Sequence, residues 1–113
     1  DNVDKSAQHY GVFQGEHLIG TGRLVVQNSV GKIGRVAILP QFRGLGFGSN
    51  LIRFILDCGK KQEIKEFVLG SQVQAIPFYS QLGFQAEGKV FQDGGIPHRI
   101  MRYQVDYGEE VRP

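Results

Sequence analysis

The sequence predicts a single α/β domain, a mixed central sheet with helices packed on it. Three observations carry this. At 113 residues, the chain is the size of one domain with one core. Strand-like and helical runs follow one another in the order β-β-β-α-β-α-β-β. A short apolar run after the first helix marks a buried parallel strand, hence a right-handed βαβ crossover.

Gln8–Gln14 reads as a strand and Gly15-Glu16 as a turn. Leu18–Gln27 is a second strand, rich in β-branched and apolar residues, and Asn28–Gly31 turns the chain. Lys32–Leu39 is a third strand, ended by Pro40, which cannot donate to a ladder. A helix is expected from Gly46 to Lys61. There Leu51, Ile52, Ile55, Leu56 and Gly59 form one stripe at helical period, and Lys60 and Lys61 favour the negative end of the helix dipole. Glu66–Gly70 is the buried strand. Ala75–Leu82 is a short helix with Pro77 tolerated in its first turn and Gly83 just past its end. Phe84–Gln92 and His98–Val105, joined by Asp93-Gly94-Gly95, form an antiparallel pair. The ordered core spans about residues 8 to 105; the first six residues and the tail from Asp106 to Pro113 are expected to be loose.

Composition excludes several classes. The hydrophobic share of 41% against 21% charged residues rules out a disordered chain. Glycine supplies 16 residues, about twice the usual ~7% share, without a collagen period. The single cysteine, Cys58, excludes an intrachain disulfide framework and points to a reducing, cytoplasmic setting; it is expected as a buried, inert thiol. No apolar run is long enough to span a membrane. Thirteen basic and eleven acidic residues, net +2, supply no basic stripe for nucleic acid. Three histidines without a spaced carboxylate make a poor metal site.

The chemistry concentrates between the third strand and the first helix, in Gln41-Phe42-Arg43-Gly44-Leu45-Gly46-Phe47-Gly48, followed by Ser49. Glycines at every second position let amide groups turn toward one point. The helix behind them starts with unpaired N–H groups and a partial positive charge. This is a pocket for an anion such as pyrophosphate, with Arg43 adding a full charge. No lysine follows Gly48, which disfavours a nucleotide-hydrolysing P-loop, and Ser49 stands where a dinucleotide fingerprint needs its third glycine. A strand-to-helix turn without a ligand is the alternative.

The run Arg35-Val36-Ala37-Ile38-Leu39-Pro40 with Gln41-x-x-Gly44-x-Gly46 resembles motif A of the GNAT acetyltransferases, whose loop binds the pyrophosphate of acetyl-CoA. Ala75-x-x-Phe78-Tyr79-x-x-Leu82-Gly83-Phe84 resembles their motif B. Gly95-Ile96-Pro97-His98-Arg99-Ile100-Met101 is similar to the ending of the small ElaA-like branch, and Asp4, His9 and Gly20-Thr21-Gly22-Arg23-Leu24 sit where that branch has comparable residues. The resemblance covers about Gln8 to Gln104. It implies a GNAT-like fold and transfer of an acetyl group from acetyl-CoA to a primary amine of a small molecule or peptide. It also implies that the strands Lys32–Leu39 and Glu66–Gly70 part at their ends. Backbone near Val36, Ala37 and Ile38 then pairs with the pantetheine arm, and Gln41, Arg43, Gly44, Leu45, Gly46, Phe47, Gly48, Ser49, Gln72 and Phe78 join the cofactor site.

Tyr79 matches the family's general acid, a phenol able to protonate the departing thiolate; packing on the sheet is its structural alternative. Many members carry a glutamate where this chain has Gly34, so base work falls to water, to His98 or to another chain. For His98 a structural bond within the Asp93–Pro97 turn is the preferred reading. The family opens with a strand and two helices that have no counterpart before Gln8. Either the start is trimmed, or a partner chain supplies the missing wall, or the wall is lost; a homodimer or other association is expected, and a non-catalytic acyl-CoA-binding domain is the second functional reading.

Overall fold

A computed structural model describes residues 7–106. Its elements are β1 (Ala7–Gln14), β2 (His17–Gln27), β3 (Val30–Ile38), α1 (Phe47–Lys61), β4 (Glu66–Gln72), α2 (Ile76–Gln81), β5 (Gln85–Asp93) and β6 (Ile96–Gln104), with single 3-10 turns at Pro40–Phe42 and Val73–Ala75. The predicted order of strands and helices is the observed one. Asp4, the opening residues and the tail beyond Asp106 lie outside the described residues.

The six strands form one sheet in the order β1-β2-β3-β4-β6-β5. All neighbours are antiparallel except β3 and β4, which run parallel across the α1 crossover. The turn between β2 and β3 is tighter than the sequence suggests. Only Asn28 and Ser29 turn, both at positive φ (54° and 67°), while Val30 and Gly31 already pair with Gln27 and Val26. Two residues of that hand match the strands' right-handed twist, so the ladder closes immediately. β4 runs two residues past its expected end, to Gln72, because β6 pairs with it the whole way.

Helix α1 buries the expected stripe, Leu51, Ile52, Ile55, Leu56 and Gly59. These pack on Leu24, Ile33, Phe67, Leu69 and Met101. Both helices lie on this face of the sheet: Lys60 Nζ of α1 donates to the Tyr103 hydroxyl at 3.2 Å, Tyr103 meets Phe67 edge-on and Phe84 at a tilt, and Phe84 in turn meets Tyr79 of α2. Cys58 is half-buried rather than buried, beside Tyr10, whose phenol is raised above its ordinary value of 10 by burial and by that thiol.

Gly59 belongs to the stripe because nothing larger fits. A Cβ there would lie 2.5 Å from two atoms of the Phe67 ring, and Phe67 is fully buried. Gly59→Ala is expected to destabilise the protein by about 1–3 kcal/mol, the usual cost of overpacking a tight core. A lowered midpoint in urea unfolding with an unchanged slope checks it.

Candidate active site

The parallel pair that predicts the crossover is also where the sheet opens. β3 and β4 pair at only three positions, Val30↔Glu66, Gly31↔Phe67 and Lys32↔Val68. Beyond Lys32 each strand continues with a different neighbour. β4 stays with β6 from Glu66↔Gln104 to Gln72↔His98. β3 stays with β2, but its register slips: Arg23 faces Gly34, whereas Thr21 faces Ala37. Arg35 and Val36 therefore oppose one residue, Gly22, and Arg35 sits at φ 53°. Such a bulge bends its strand and sharpens the twist, which carries β3 away from β4.

The gap is a cleft of about 760 Å³. One wall is the β3 backbone from Lys32 to Ile38, which includes the expected Val36, Ala37 and Ile38. The other is β4 from Leu69 to Gln72 with His98 and Ile100 of β6. Arg43, Ala75 and Tyr79 also line it, as do Phe91 and Asp93. Among the described residues, peptide groups of β3 on the β4 side have no strand partner past Lys32. Pairing with an extended ligand would satisfy them.

From Ile38 the chain passes Leu39 and enters the glycine loop. The 3-10 turn is tied by Phe42 N–H to the Leu39 carbonyl (2.9 Å) and Arg43 N–H to the Pro40 carbonyl (3.2 Å). The Phe42 and Phe47 rings meet edge-on at 6.1 Å across the loop. Among the described residues, the backbone N–H groups from Gly44 through Ser49 have no acceptor within the protein. Gly46 is the N-cap of α1, left-handed at φ 90°, with no side-chain cap and no acidic residue in the first turn. A helix start so built keeps its positive end for an anion. Arg43 is drawn toward this corner by its Nε–H donating to the Ile38 carbonyl at 2.8 Å, which leaves its other guanidinium nitrogens available. Gln41 and Leu45 are exposed on the loop, while Phe47, Gly48 and Ser49 are half-buried at the helix start.

Tyr79 is held by the end of α2. Phe84 N–H donates to the Tyr79 carbonyl (3.1 Å) and Gly83 N–H to the Ser80 carbonyl (3.1 Å), with Gly83 at φ 104°. This is the paired closure in which the residue after the glycine packs back on the helix. Here that contact is the Phe84 ring against Tyr79 at 5.8 Å. Phe78 braces the other side at 4.9 Å. Burial raises the Tyr79 phenol above its ordinary value of 10. Phe78 itself is not among the residues lining the cleft; it packs beneath Gly48 and against the core.

The remaining expected residues fall as follows. Gln72 is at the exposed end of β4, lines the cleft and accepts from the Gln74 amide. Gly34 also lines it, and a Cβ added there would meet nothing within 4 Å. His98 lies in the cleft and also makes the expected bond within its turn, to the Ile96 carbonyl at 2.7 Å. His9 and His17 are exposed, and no group of three or more metal-ligating side chains occurs among the described residues. No described helix is long and apolar enough to cross a membrane. The bulge at Arg35 carried no sequence signal, since arginine has no preference for a left-handed backbone. Phe91 and Asp93 were also missed: they enter the cleft only because β5 folds back beside β6.

The chain is similar to known proteins over most of its length. A family model described as an acetyltransferase (GNAT) domain matches residues 1–105. YjcF, an uncharacterized N-acetyltransferase of Bacillus subtilis (strain 168), is 31% identical over 102 residues, which cover 89% of this chain and 73% of that protein. Escherichia coli ElaA superposes with a TM-score of 0.79 at 24% identity, over 87% of this chain and 68% of its own. The PaiA N-acetyltransferase of Thermoplasma acidophilum, solved in complex with coenzyme A, gives 0.77 at 24% identity, over 88% of this chain and 62% of its own. The chain thus spans 62% to 73% of these three proteins.

Proposed function

The chain belongs to the GNAT acetyltransferase family, and from that premise we propose that it transfers the acetyl group of acetyl-CoA to a primary amine of a small molecule or peptide. The observation that carries this reading is the early parting of β3 and β4 beside a helix start free of protein acceptors. A diphosphate would sit on the amides from Gly44 to Ser49, with Arg43 as its counter-charge. The pantetheine arm would lie as an extra strand along Val36, Ala37 and Ile38, and Gln72 would face it from β4. Held so, the thioester is presented to the amine in a fixed geometry, and positioning of this kind supplies much of the rate of a bimolecular transfer. Free N–H groups of β3 in the gap would steady the oxygen of the tetrahedral adduct. Tyr79 would protonate the departing thiolate: burial keeps its phenol in the neutral, donating form.

Calorimetry with acetyl-CoA, paired with a thiol-release assay over a panel of primary amines, tests the proposal. Binding accompanied by amine-dependent release of coenzyme A is the expected result. Binding without release from any amine favours the second reading, a domain that holds acyl-CoA without turnover. That reading draws on Gly34, which offers no carboxylate to the cleft.

The proposal includes association with a second copy or another chain. Among the described residues, β1 is an edge strand with one neighbour, and Phe13 and Leu18 at its turn are 61% and 49% exposed. An open edge beside exposed apolar side chains favours pairing. Sedimentation is expected to give a species larger than a monomer; a compact monomer at high concentration overturns this part.

A further inference from the structure

We propose that His98 is the general base that takes the proton from the acceptor amine, an inference that rests on the acetyltransferase reading above. Amines reach neutral solution largely as ammonium ions, which cannot attack until a proton leaves. The titratable side chains lining the cleft are Lys32, Arg35, Arg43, Tyr79, Asp93 and His98. The three cations cannot accept a proton, and Tyr79 is the donor to the leaving group. Asp93 is exposed at the tip of the β5–β6 hairpin, whereas His98 is half-buried with its ring fixed.

Two contacts fix that ring. Nδ1 lies 2.7 Å from the Ile96 carbonyl oxygen. A carbonyl only accepts, so Nδ1 carries the hydrogen and the lone pair of the neutral ring is on Nε2. The Phe91 ring lies beside the imidazole, centroids 5.8 Å apart and planes 31° from parallel. The tautomer and the orientation are therefore set before any substrate arrives.

Topology places His98 opposite Tyr79. His98 stands directly across from Gln72, and Ile100 from Gly70. The next pair along, Leu69 and Met101, points to the opposite face, toward the helices and the core. His98 is thus on the sheet face away from the helices, while Tyr79 approaches from α2 on the helix side. Because the sheet is split between β3 and β4, both side chains reach the same cleft. A thioester lying in the split would meet its amine on one face and its proton donor on the other.

The step balances. Nε2 takes one ammonium proton, the freed nitrogen lone pair forms the C–N bond, and the C–S bond breaks. The thiolate takes the Tyr79 proton. The proton shed by the new amide nitrogen restores Tyr79 through solvent, and His98 releases its own to bulk, so one proton is released per turnover.

The test uses the full chain with acetyl-CoA and a polyamine, an amino sugar and a lysine-containing peptide as acceptors. On whichever amine the wild type acetylates, His98→Gln is expected to lower kcat by about 10²–10⁴-fold, the range for general base catalysis, with acetyl-CoA affinity by calorimetry unchanged. In His98→Ala, added imidazole is expected to restore turnover in proportion to its concentration, which a purely structural histidine would not allow. Wild-type turnover in His98→Gln, or a loss in His98→Ala that imidazole leaves untouched, overturns the assignment while the acetyltransferase reading stands. A wild type that binds acetyl-CoA but acetylates none of the three overturns both.

Discussion

Gly46→Val is expected to weaken acetyl-CoA binding by about 100-fold or more. The residue caps α1 at φ 90° and ψ −1°, a conformation that costs a side-chain-bearing residue roughly 1–2 kcal/mol. Its Cβ would touch nothing of the protein within 4 Å, so the folded chain has room for the valine. The damage falls instead on the space over the free amides. Either the isopropyl group occupies the anion's place, or the backbone relaxes to negative φ and turns the Gly44–Ser49 amides away from a common point. A hydrogen bond to a charged group contributes about 1.5–3 kcal/mol, and each 1.4 kcal/mol is about tenfold in affinity. Loss of two such bonds therefore reaches the stated effect. Calorimetry measures it, and amide spectra of the β5–β6 hairpin check that the sheet is intact. Unchanged affinity would move the diphosphate site elsewhere.

Tyr79→Phe is expected to lower turnover by about 10²–10⁴-fold and leave acetyl-CoA affinity unchanged. The substitution keeps the ring contacts to Phe78 and Phe84 and removes only the hydroxyl, so a loss of rate reports the proton rather than packing. The pH behaviour follows from the same burial. Desolvation raises the folded-state value above the ordinary 10, so the phenol stays protonated, and able to donate, throughout the neutral range. A raised value also ties stability to the proton. The contribution is full below about pH 10 and is lost as pH climbs through the folded-state value. Wild type should therefore lose stability above that pH more steeply than Tyr79→Phe, in unfolding midpoints measured across the alkaline range. Equal turnover in the two proteins would reduce Tyr79 to a packing residue.

What could be read in advance tracks the range of the interaction involved. The α1 stripe from Leu51 to Gly59 was legible because helical period is local, and all five residues are buried as expected. The glycine loop was legible for a similar reason: glycine takes the left-handed turns at 44 and 46 without the strain of a side chain, so spacing reveals geometry. Tyr79 was found through the order of motif residues around it. The length of the β2–β3 turn was misjudged because Val30 and Gly31 look like turn residues until Val26 and Gln27 are seen to pair with them. His98 was visible as a candidate, but its tautomer depends on a 2.7 Å bond to Ile96 and its ring orientation on Phe91 across the strand pair. Neither can be read from spacing.

By itself, the chain's order of residues determined a β-β-β-α-β-α-β-β domain, a crossover between parallel strands and an anion-binding loop at the start of its helix. All of these depend on periodicity, on turn chemistry or on residues a few positions apart. Only the tertiary structure decided that β3 and β4 separate after three pairs, that the bend comes from a bulge at Arg35, and that Tyr79 and His98 reach one cleft from opposite faces. Those outcomes depend on which strand each peptide group pairs with. That choice is made by competition among distant segments, β2 against β4 for β3 and β6 against β3 for β4, and no local pattern of side chains records who wins it.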